Sequence, residues 1–551
     1  MGETEHHHTP PPVQTPPPGP PPLNFGLSRG PTWTPAEQLL HLHYCIHSNP
    51  SWPVAILLAF QHYIVMLGTT VLIATTLVPL MGGSHGDKAR VIQTLLLMSG
   101  VNTLLQTWFG SRLPVVMGSS MAFFTPVMSI INDYSDRNFP SEHERFTYTI
   151  RTIQGSLIVS SFINIVLGYS RAWGSLTRLF SPLVIVPVVC VVGLGLFMRG
   201  FPLLATCVEI GLPMLILLVL VQQHLRRMVP VHHAAHHVLE RFALLTCIGV
   251  IWAFAAILTV AGAYNNSKER TQTSCRIDRS YLMSSAPWIK VPYPFQWGTP
   301  IFSASHVFGM MGAAIVTSAE STGTFFAAAR LSGATPPPAH VLSRSIGLQG
   351  FGMLLEGLFG SVVGTTASVE NVGLLGLTQI GSRRVVQMSC GFMIFFSIFG
   401  KFGAFFASIP LPIFAAIYCV LLGIVAAVGI SFIQFANNNS MRNLYVLGLS
   451  LFLGISIPQY FLGNTTPDGR GPARTKAGWF NDILNTIFSS PPTVAIIVGT
   501  LLDNTLDAKG TTNDRGVPWW FPFQVKGGDG RNEEFYDYPL RIHEYIPSRF
   551  R

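Results

Sequence analysis

An acid and an amide, Glu370 and Asn371, lie side by side in a stretch that also contains three glycines and a threonine and ends in two arginines. Long apolar runs flank this stretch, so burying an ionised glutamate there would be costly. A second acid, Glu320, lies in the middle of another apolar run, VTSAESTGTFF. Ionisable residues inside membrane segments are rare and mark ligand sites or proton pathways. We therefore take Glu320 and Glu370 as the first candidates for binding chemistry.

Each of these acids also has a purely structural interpretation. Glu320 could form an ion pair or a hydrogen bond with a neighbouring helix, and Glu370 could cap the start of its own helix. Capping and ligand binding do not exclude each other. Two further acids, Glu356 and Glu209, have less suggestive neighbours, and we interpret them as packing or helix-end residues.

Histidines offer weaker candidates. Gln61 and His62 form a polar pair in the first apolar run, where a lone histidine is more often a contact between helices than a ligand. Four histidines within residues 232–237 form two pairs with the i,i+4 spacing that can bind a metal. We assign them instead to a solvated loop, and we expect no metal and no cofactor.

The chain around these residues is too apolar for a soluble protein. Of its 551 residues, 11% are charged and 49% are hydrophobic, whereas a soluble domain has roughly 25% charged residues. The net charge of +9 comes mostly from short turns between apolar runs, and the absence of one basic stripe argues against nucleic-acid binding. Composition therefore predicts a polytopic membrane protein.

Fourteen segments can be assigned to the membrane. A membrane helix needs about 20 largely apolar residues. Twelve runs meet that requirement, near residues 53–80, 90–109, 151–169, 176–198, 203–222, 241–263, 301–328, 345–363, 385–404, 408–430, 443–461 and 483–502. Two shorter segments, 113–130 and 366–380, suit half-helices that follow extended backbone. We predict an all-α fold in which the third and tenth segments are broken.

The two broken segments begin alike, with FGS at Phe109 and at Phe359. In an ungapped pairing Ser120 faces Glu370, and each segment is followed by a glutamine-containing span and then a proline-led one. Seven spans per repeat place the halves in opposite orientations, which is the inverted-repeat plan of secondary transporters. The alternative is chance similarity between apolar strings.

Charged loops predict the orientation of the spans. With the N-terminus inside, the arginine-rich loops are cytoplasmic, as the positive-inside rule requires. Residues 264–300 and the sequons at Asn265 and Asn464 then lie outside, and both termini are cytoplasmic. The proline-rich residues 1–35 predict a disordered tail that is not a cleaved signal peptide. The spacing of the seven cysteines suggests neither a metal site nor a disulfide framework.

The stretch at Glu370 resembles the signature of the nucleobase–ascorbate transporter family, Q/E/P-N-x-G-x-x-x-x-T. In ENVGLLGLT the fixed positions are occupied by Asn371, Gly373 and Thr378. The acid at the first position favours a nucleobase, because it would repel anionic ascorbate.

Other parts of the chain resemble the same family. Gln61 and His62 are similar to its first-span motif, and SAESTG around Glu320 is similar to its eighth-span glutamate region. The resemblance covers residues 52–502 and is strongest to the plant branch.

The resemblance implies a core domain of spans 1–4 and 8–11 and a gate domain of spans 5–7 and 12–14, usually in a homodimer. The corresponding ranges are a disordered cytoplasmic tail at 1–50, first-repeat spans at 51–200, gate spans with a long outer loop at 201–300, second-repeat core spans at 301–404, gate spans at 405–502 and a cytoplasmic tail at 503–551. Substrate would lie between the third and tenth segments.

The implied substrate-binding residues come from three segments. They are Ser120, Met121, Phe123, Glu320, Thr324, Val369, Glu370 and Asn371, with Gln61, His62, Gly373 and Thr378 as further residues critical for transport. Val369 and Ser120 would contribute main-chain groups. Met121 stands where several relatives have an aromatic residue, and Thr324 where relatives often have a charged or imidazole side chain.

We predict a proton-coupled importer of nucleobases, with xanthine, uric acid and uracil as candidates, in the plasma membrane. The alternatives are a carrier of ascorbate or another organic anion with the same fold, and a channel or a non-transporting scaffold. The sequence has no nucleotide-phosphate loop of the form G-x-x-x-x-G-K-S/T, which argues against an ATP-driven pump. Since replacing a buried acid by an amide removes a desolvation cost, we expect Glu320→Gln and Glu370→Gln to reach the membrane.

Overall fold

The computed structural model describes residues 39, 42–135, 137–224, 233–277, 286–466 and 470–539, with the backbone alone at 233–240, 270 and 402. The predicted disorder of residues 1–35 and the side chains of the histidines within 232–237 lie outside the described residues. Within the described ranges the chain is a helical membrane protein with one two-stranded sheet, which confirms the predicted fold class.

The first half of the chain contains helices α1 to α10. They are α1 (Trp52–Leu80), α2 (His85–Trp108), α3 (Phe124–Ser135), α4 (Glu142–Tyr169), α5 (Ala172–Thr177), α6 (Pro182–Leu194), α7 (Phe201–Leu204), α8 (Val208–Val219), α9 (His233–Val260) and α10 (Glu269–Cys275). Strand β1 (Met117–Ser119) and a 3₁₀ turn, Met121–Phe123, precede α3. Two further 3₁₀ turns, Phe197–Arg199 and Ala205–Cys207, flank α7.

The second half contains helices α11 to α21 and strand β2 (Thr365–Ala367). The helices are α11 (Ala304–Ser332), α12 (Ala339–Phe359), α13 (Val369–Thr378), α14 (Arg383–Ile398), α15 (Gly400–Ala407), α16 (Leu411–Ser431), α17 (Met441–Gly463), α18 (Gly478–Phe488), α19 (Pro491–Thr505), α20 (Val517–Gln524) and α21 (Arg531–Tyr536). Proline in the first turn starts α1, α6, α16 and α19, where its missing N–H would have no intrahelical partner in any case.

Six helical stretches in the described ranges are long and apolar enough to cross a membrane. They are Trp52–Leu80, Glu142–Tyr169, Pro182–His224, Arg241–Val260, Leu411–Phe435 and Met441–Gly463. The pair α18 and α19, bent by 87°, passes the same test when taken together. Other helices, such as α2 and α11, bury many hydroxyl and amide side chains, which lowers their hydropathy. The count of fourteen spans stays a prediction.

The two strands form the link between the broken segments. Strand β1 pairs with β2 in antiparallel register, with Gly118 opposite Thr366 in the middle. Each strand leads into a short helix, β1 into α3 through the 3₁₀ turn and β2 into α13. An antiparallel pair of equivalent units is related by a two-fold axis, which is the relation that an inverted repeat requires.

The spacing of the cysteines suggests no disulfide framework, yet the structure contains one disulfide within the described residues. Cys207 and Cys275 are joined by a disulfide, with their Cα atoms 5.5 Å apart. Cys207 ends the turn before α8, and Cys275 ends α10 in the loop at 264–300. The two residues are separated by 68 positions, so spacing gives no sign of their pairing. The bond ties this loop to the start of α8.

Candidate functional site

A serine directly follows each strand: Ser120 follows β1 and caps the 3₁₀ turn before α3, and Ser368 follows β2 and caps α13. Ser120 Oγ accepts a hydrogen bond at 3.1 Å from the amide two residues later, and Ser368 Oγ accepts one at 3.3 Å from the amide three residues later. Strand β2 is held against α11 by a hydrogen bond of 3.0 Å from Ala367 N to Ser321 Oγ. The first N–H groups of a helix have no intrahelical acceptor, so the paired strands bring two sets of free amides together.

A cavity lies beside these helix starts, and its empty space of about 510 Å³ includes a part that is open to solvent. Its wall comes from α1, the two strands, α6, α11, α13 and the start of α19. Four of the predicted binding residues line it, namely Met121, Glu320, Val369 and Glu370.

The other predicted binding residues lie behind the cavity wall. Phe123 is fully buried, and its ring packs against Gly364. Thr324 Oγ1 donates a 2.8 Å hydrogen bond to the carbonyl oxygen of Glu320 on its own helix. The amide of Ser120 is already bonded to the carbonyl oxygen of Gly364 at 2.9 Å. A direct role of these residues in binding stays a prediction, and the geometry favours a supporting one.

Glu320 lies at the middle of α11 and faces the cavity. Its Oε2 accepts a hydrogen bond from Ser120 Oγ at 3.3 Å. It forms no ion pair within the described ranges. The carboxylate is thus positioned by a neutral donor and keeps acceptor capacity for a ligand.

Glu370 has a cationic partner that the sequence analysis did not identify. Arg199 Nη1 donates to Glu370 Oε1, and the two residues are only 8% and 3% exposed. Ser368 Oγ donates to Glu370 Oε2 at 3.0 Å, and Thr69 Oγ1 lies 3.4 Å from Oε1. The cavity therefore contains two carboxylates and one guanidinium, with a formal charge of −1 when all three are ionised.

The shortness of α6 explains how Arg199 reaches the cavity. The predicted span at 176–198 is divided in the structure, and α6 has 13 residues, which at 1.5 Å per residue is about 20 Å. That is less than the roughly 30 Å of a hydrocarbon core, so the following turn at 197–199 does not have to lie outside the membrane. An arginine so close behind an apolar run of this length is the signal that could have identified it.

The signature residue Asn371 connects α13 to α1 and does not line the cavity. Its Oδ1 lies 3.0 Å from His62 Nδ1, and its Nδ2 donates to Ser368 Oγ at 3.1 Å. Since Nδ2 is a donor, Oδ1 is the acceptor and His62 Nδ1 carries the proton. Gln61 faces away and donates to the carbonyl oxygen of Arg241 at 2.9 Å. The Gln61–His62 pair thus supports α13 and α9 and does not contact the cavity.

Gly373 and Thr378 complete the signature in structural positions. A Cβ on Gly373 would lie 2.4 Å from the carbonyl oxygen of Leu421 on α16, so only glycine lets α13 approach α16 this closely. Thr378 Oγ1 donates to the carbonyl oxygen of Leu374 at 2.8 Å, in the last turn of α13. One short helix therefore presents its acid to the cavity, its amide to α1 and its glycine to α16.

We expect Gly373→Ala to lower both thermal stability and uptake, because α13 must move away from α16. Overpacking of a tight contact typically costs about 1–3 kcal/mol. The measurement is the melting temperature of the detergent-solubilised protein, together with uptake per molecule at the surface. Gly423→Ala is the matched control, since Gly423 lies on α16 and a Cβ there meets no atom within 4 Å. Equal melting temperatures for the two variants would contradict this view of the signature glycine.

Comparisons with known proteins agree with the resemblance in the sequence. Residues 54–463 match a family model described as a permease family. Nucleobase-ascorbate transporter 3 of Arabidopsis thaliana is 70% identical over 525 residues, which cover 95% of this chain and 94% of that protein. Nucleobase-ascorbate transporters 2 and 1 of the same plant are 57% and 56% identical over 513 residues each, covering 93% of this chain and 97% and 98% of theirs.

Proposed function

The chain belongs to the nucleobase–ascorbate transporter family, and we propose that it is a proton-coupled importer of nucleobases such as xanthine, uric acid or uracil. It is a membrane transporter and not an enzyme. The observation that carries the proposal is the cavity in which Glu320 and Glu370 meet the starts of two half-helices. Inverted repeats with discontinuous helices at the binding site are characteristic of secondary transporters.

The chemistry of the cavity suits a nucleobase. Such a ring is flat, and its edge alternates N–H donors with carbonyl or ring-nitrogen acceptors. The carboxylates of Glu320 and Glu370 can accept from ring N–H groups, and the amide of Val369, at the first position of α13, can donate to a carbonyl oxygen. Met121 adds an apolar surface in place of an aromatic ring.

Uptake should rise as the external pH falls and should not depend on sodium. Glu320 forms no ion pair in the described part of the chain and is the better proton carrier, because Glu370 is directly paired with Arg199. A sodium site would need several additional oxygen ligands around the carboxylates. The measurement is initial uptake across a pH series, with choline replacing sodium. Uptake that does not change with pH and is lost when choline replaces sodium would exclude proton coupling.

We further propose an elevator-type mechanism in which a core domain carries the cavity past a gate domain, within a homodimer. The close contact of α13 with α16 at Gly373 and the ion pair between Arg199 and Glu370 lie where the two domains would meet. Apolar side chains on α8, including Ile216 and Val219, are exposed and suit contact with lipid or a second copy.

We place the protein in the plasma membrane with both termini in the cytoplasm. The rings of His47 and Phe535 stack with their centroids 5.5 Å apart, so both ends of the described chain lie on one side of the membrane. The Cys207–Cys275 disulfide lies on the face that the positive-inside rule places outside, and disulfides persist in oxidising compartments.

Ascorbate transport is the second candidate, and Arg199 is the observation that favours it. Its guanidinium offsets the repulsion that Glu370 alone would exert on an anion. Uptake of a panel of labelled nucleobases, with and without excess ascorbate, tests both candidates. We expect saturable uptake of at least one oxidised purine or of uracil, with little competition from ascorbate. Ascorbate uptake without nucleobase uptake would replace our proposal by the alternative, and flux that does not saturate would favour a channel.

A further inference from the structure

Arg199 lies in the cavity wall and has one buried N–H donor without an acceptor among the described residues. Its Nη1 donates to Glu370, whereas its Nε–H is buried and has no acceptor in the described part of the chain. The side chain is only 10% exposed, so bulk water does not satisfy it. A guanidinium carries several N–H donors in one plane and no acceptor. The site is thus short of an oxygen or nitrogen acceptor next to Arg199.

No residue that the structure describes supplies this acceptor at the cavity. Glu370 already accepts from Arg199, Ser368 and Thr69. Glu320 accepts from Ser120 and does not accept from Arg199 Nε. Much of the remaining wall near Arg199 is apolar, including Val191, Val192 and Leu196. A bound ligand is therefore the natural source of the missing acceptor.

We infer that Arg199 contacts the substrate and selects rings that carry a carbonyl or anionic oxygen over rings that carry an amino group in the same place. This inference deepens the proposed function and rests on it. An oxygen on the ring gives Arg199 an acceptor, whereas an amino group would face it donor to donor. A buried donor left unpaired is unfavourable, and sites built to bond one polar group reject analogues that lack it.

Hypoxanthine and adenine are a closely related pair of probes: hypoxanthine has an oxo group and an N1–H donor where adenine has an amino group and an N1 acceptor. We would measure how each competes with a labelled substrate for uptake, and how each shifts the melting temperature of the purified protein. Xanthine and uric acid extend the oxo series. The quantity of interest is the ratio of the two affinities, which does not depend on the amount of folded protein.

Two comparisons between variants separate recognition from folding. Arg199→Lys keeps a positive charge beside Glu370 but loses the planar donors. The second comparison is between Glu370→Gln and the double variant Arg199→Gln/Glu370→Gln. These two proteins differ only at position 199, and neither has a carboxylate at position 370 that could be left unpaired. The second comparison isolates Arg199 even if the single neutralisation Arg199→Gln fails to fold.

We expect the preference for hypoxanthine over adenine to be about ten- to a hundredfold lower in Arg199→Lys than in the wild type, and lower by the same factor in the double variant than in Glu370→Gln. This factor is the usual effect of one charge-assisted hydrogen bond. Equal losses for both probes, or an unchanged ratio, would overturn the inference and leave Arg199 as a structural partner of Glu370. If the wild-type protein bound ascorbate but no nucleobase, the proposed function would be wrong, whereas the inference about Arg199 would still have to be tested. The same variants would then be compared on ascorbate, whose ring oxygens Arg199 should also bind, and unchanged ascorbate affinity would overturn the inference.

Discussion

Replacement of Asp503 by asparagine is expected to remove most of the protein from the membrane. Asp503, near the end of α19, is fully buried and is bonded to two arginines. Arg515 donates to its two carboxylate oxygens at 2.8 and 2.7 Å, and Arg442 lies 3.2 Å from Oδ1. Ser181, just before α6, donates to Oδ2 at 2.7 Å. One carboxylate thus joins four separate parts of the chain.

The size of the effect follows from the charges left behind. Removing one partner of a buried ion pair costs about 3–5 kcal/mol, since the other charge stays uncompensated. The asparagine amide would also point a donor at a guanidinium. Folded proteins are stable by only about 5–15 kcal/mol, so this loss should be visible as a much lower melting temperature and a lower surface level.

Asp507→Asn is the control for this experiment, because Asp507 is exposed and lies four positions further along the chain. Asp503 does not line the cavity, so the molecules of Asp503→Asn that do reach the surface should transport at a nearly normal rate. A surface level equal to that of Asp507→Asn would show that the cluster contributes little. Normal surface level with lost uptake would assign Asp503 to the transport cycle.

Asp503 and Arg199 show why some of the important charges could not be predicted from the sequence. Glu320 and Glu370 stand out because an acid inside an apolar run has a local signature. Asp503 lies near the end of a run, where charges are ordinary, and Arg442 lies between two apolar runs, where a basic residue fits the positive-inside pattern. The partner of each charge is distant in sequence, 171 positions for Arg199 and Glu370, and no local pattern encodes such a contact.

The broken segments were predictable, but their register was not. Glycine-punctuated segments of insufficient length indicate half-helices, and the structure has them as a strand followed by α3 or α13. The ungapped comparison matched Ser120 with Glu370, whereas the two serines, Ser120 and Ser368, have the equivalent capping positions. The 3₁₀ turn at 121–123 separates Ser120 from α3, while α13 follows Ser368 directly. The pattern of hydrophobic residues does not predict local backbone geometry of this kind.

The sequence also could not predict which face of a half-helix lines the cavity. The signature residues are adjacent in the chain, yet successive residues of a helix point about 100° apart. Glu370 consequently faces the cavity, while Asn371 bonds to His62 on α1. The same reasoning applies to Phe123, which lies two residues from Met121 but packs against Gly364.

The ion pair also changes the expectation for Glu370→Gln. As an isolated buried acid, Glu370 could become an amide without loss of stability. Because its carboxylate compensates Arg199, the substitution instead leaves a buried guanidinium unpaired. We now expect Glu370→Gln to lower the surface level. The pair Arg199→Gln/Glu370→Gln should restore part of it, since both charges are then absent.

Glu320→Gln should have the opposite profile, with normal folding and almost no transport. No ion pair is broken, and the glutamine carbonyl can still accept from Ser120 Oγ, which lies 3.3 Å from Glu320 Oε2. The variant loses a charged acceptor for a ring N–H, which is worth about 1.5–3 kcal/mol or roughly ten- to a hundredfold in affinity. It also loses the group that we propose as the proton carrier, so uptake should fall further than binding does.

Three measurements on one set of variants test this prediction: surface level, substrate binding, and the pH dependence of any residual uptake. Glu209→Gln is the control, because Glu209 is an exposed acid at the start of α8 and does not line the cavity. We expect Glu320→Gln to match the control in surface level, to bind substrate weakly, and to lose the increase of uptake at low pH. Unaltered binding would remove Glu320 from the site. Loss of the protein from the membrane would mean that Glu320 stabilises the fold, and the proton pathway would then have to be sought at another buried acid.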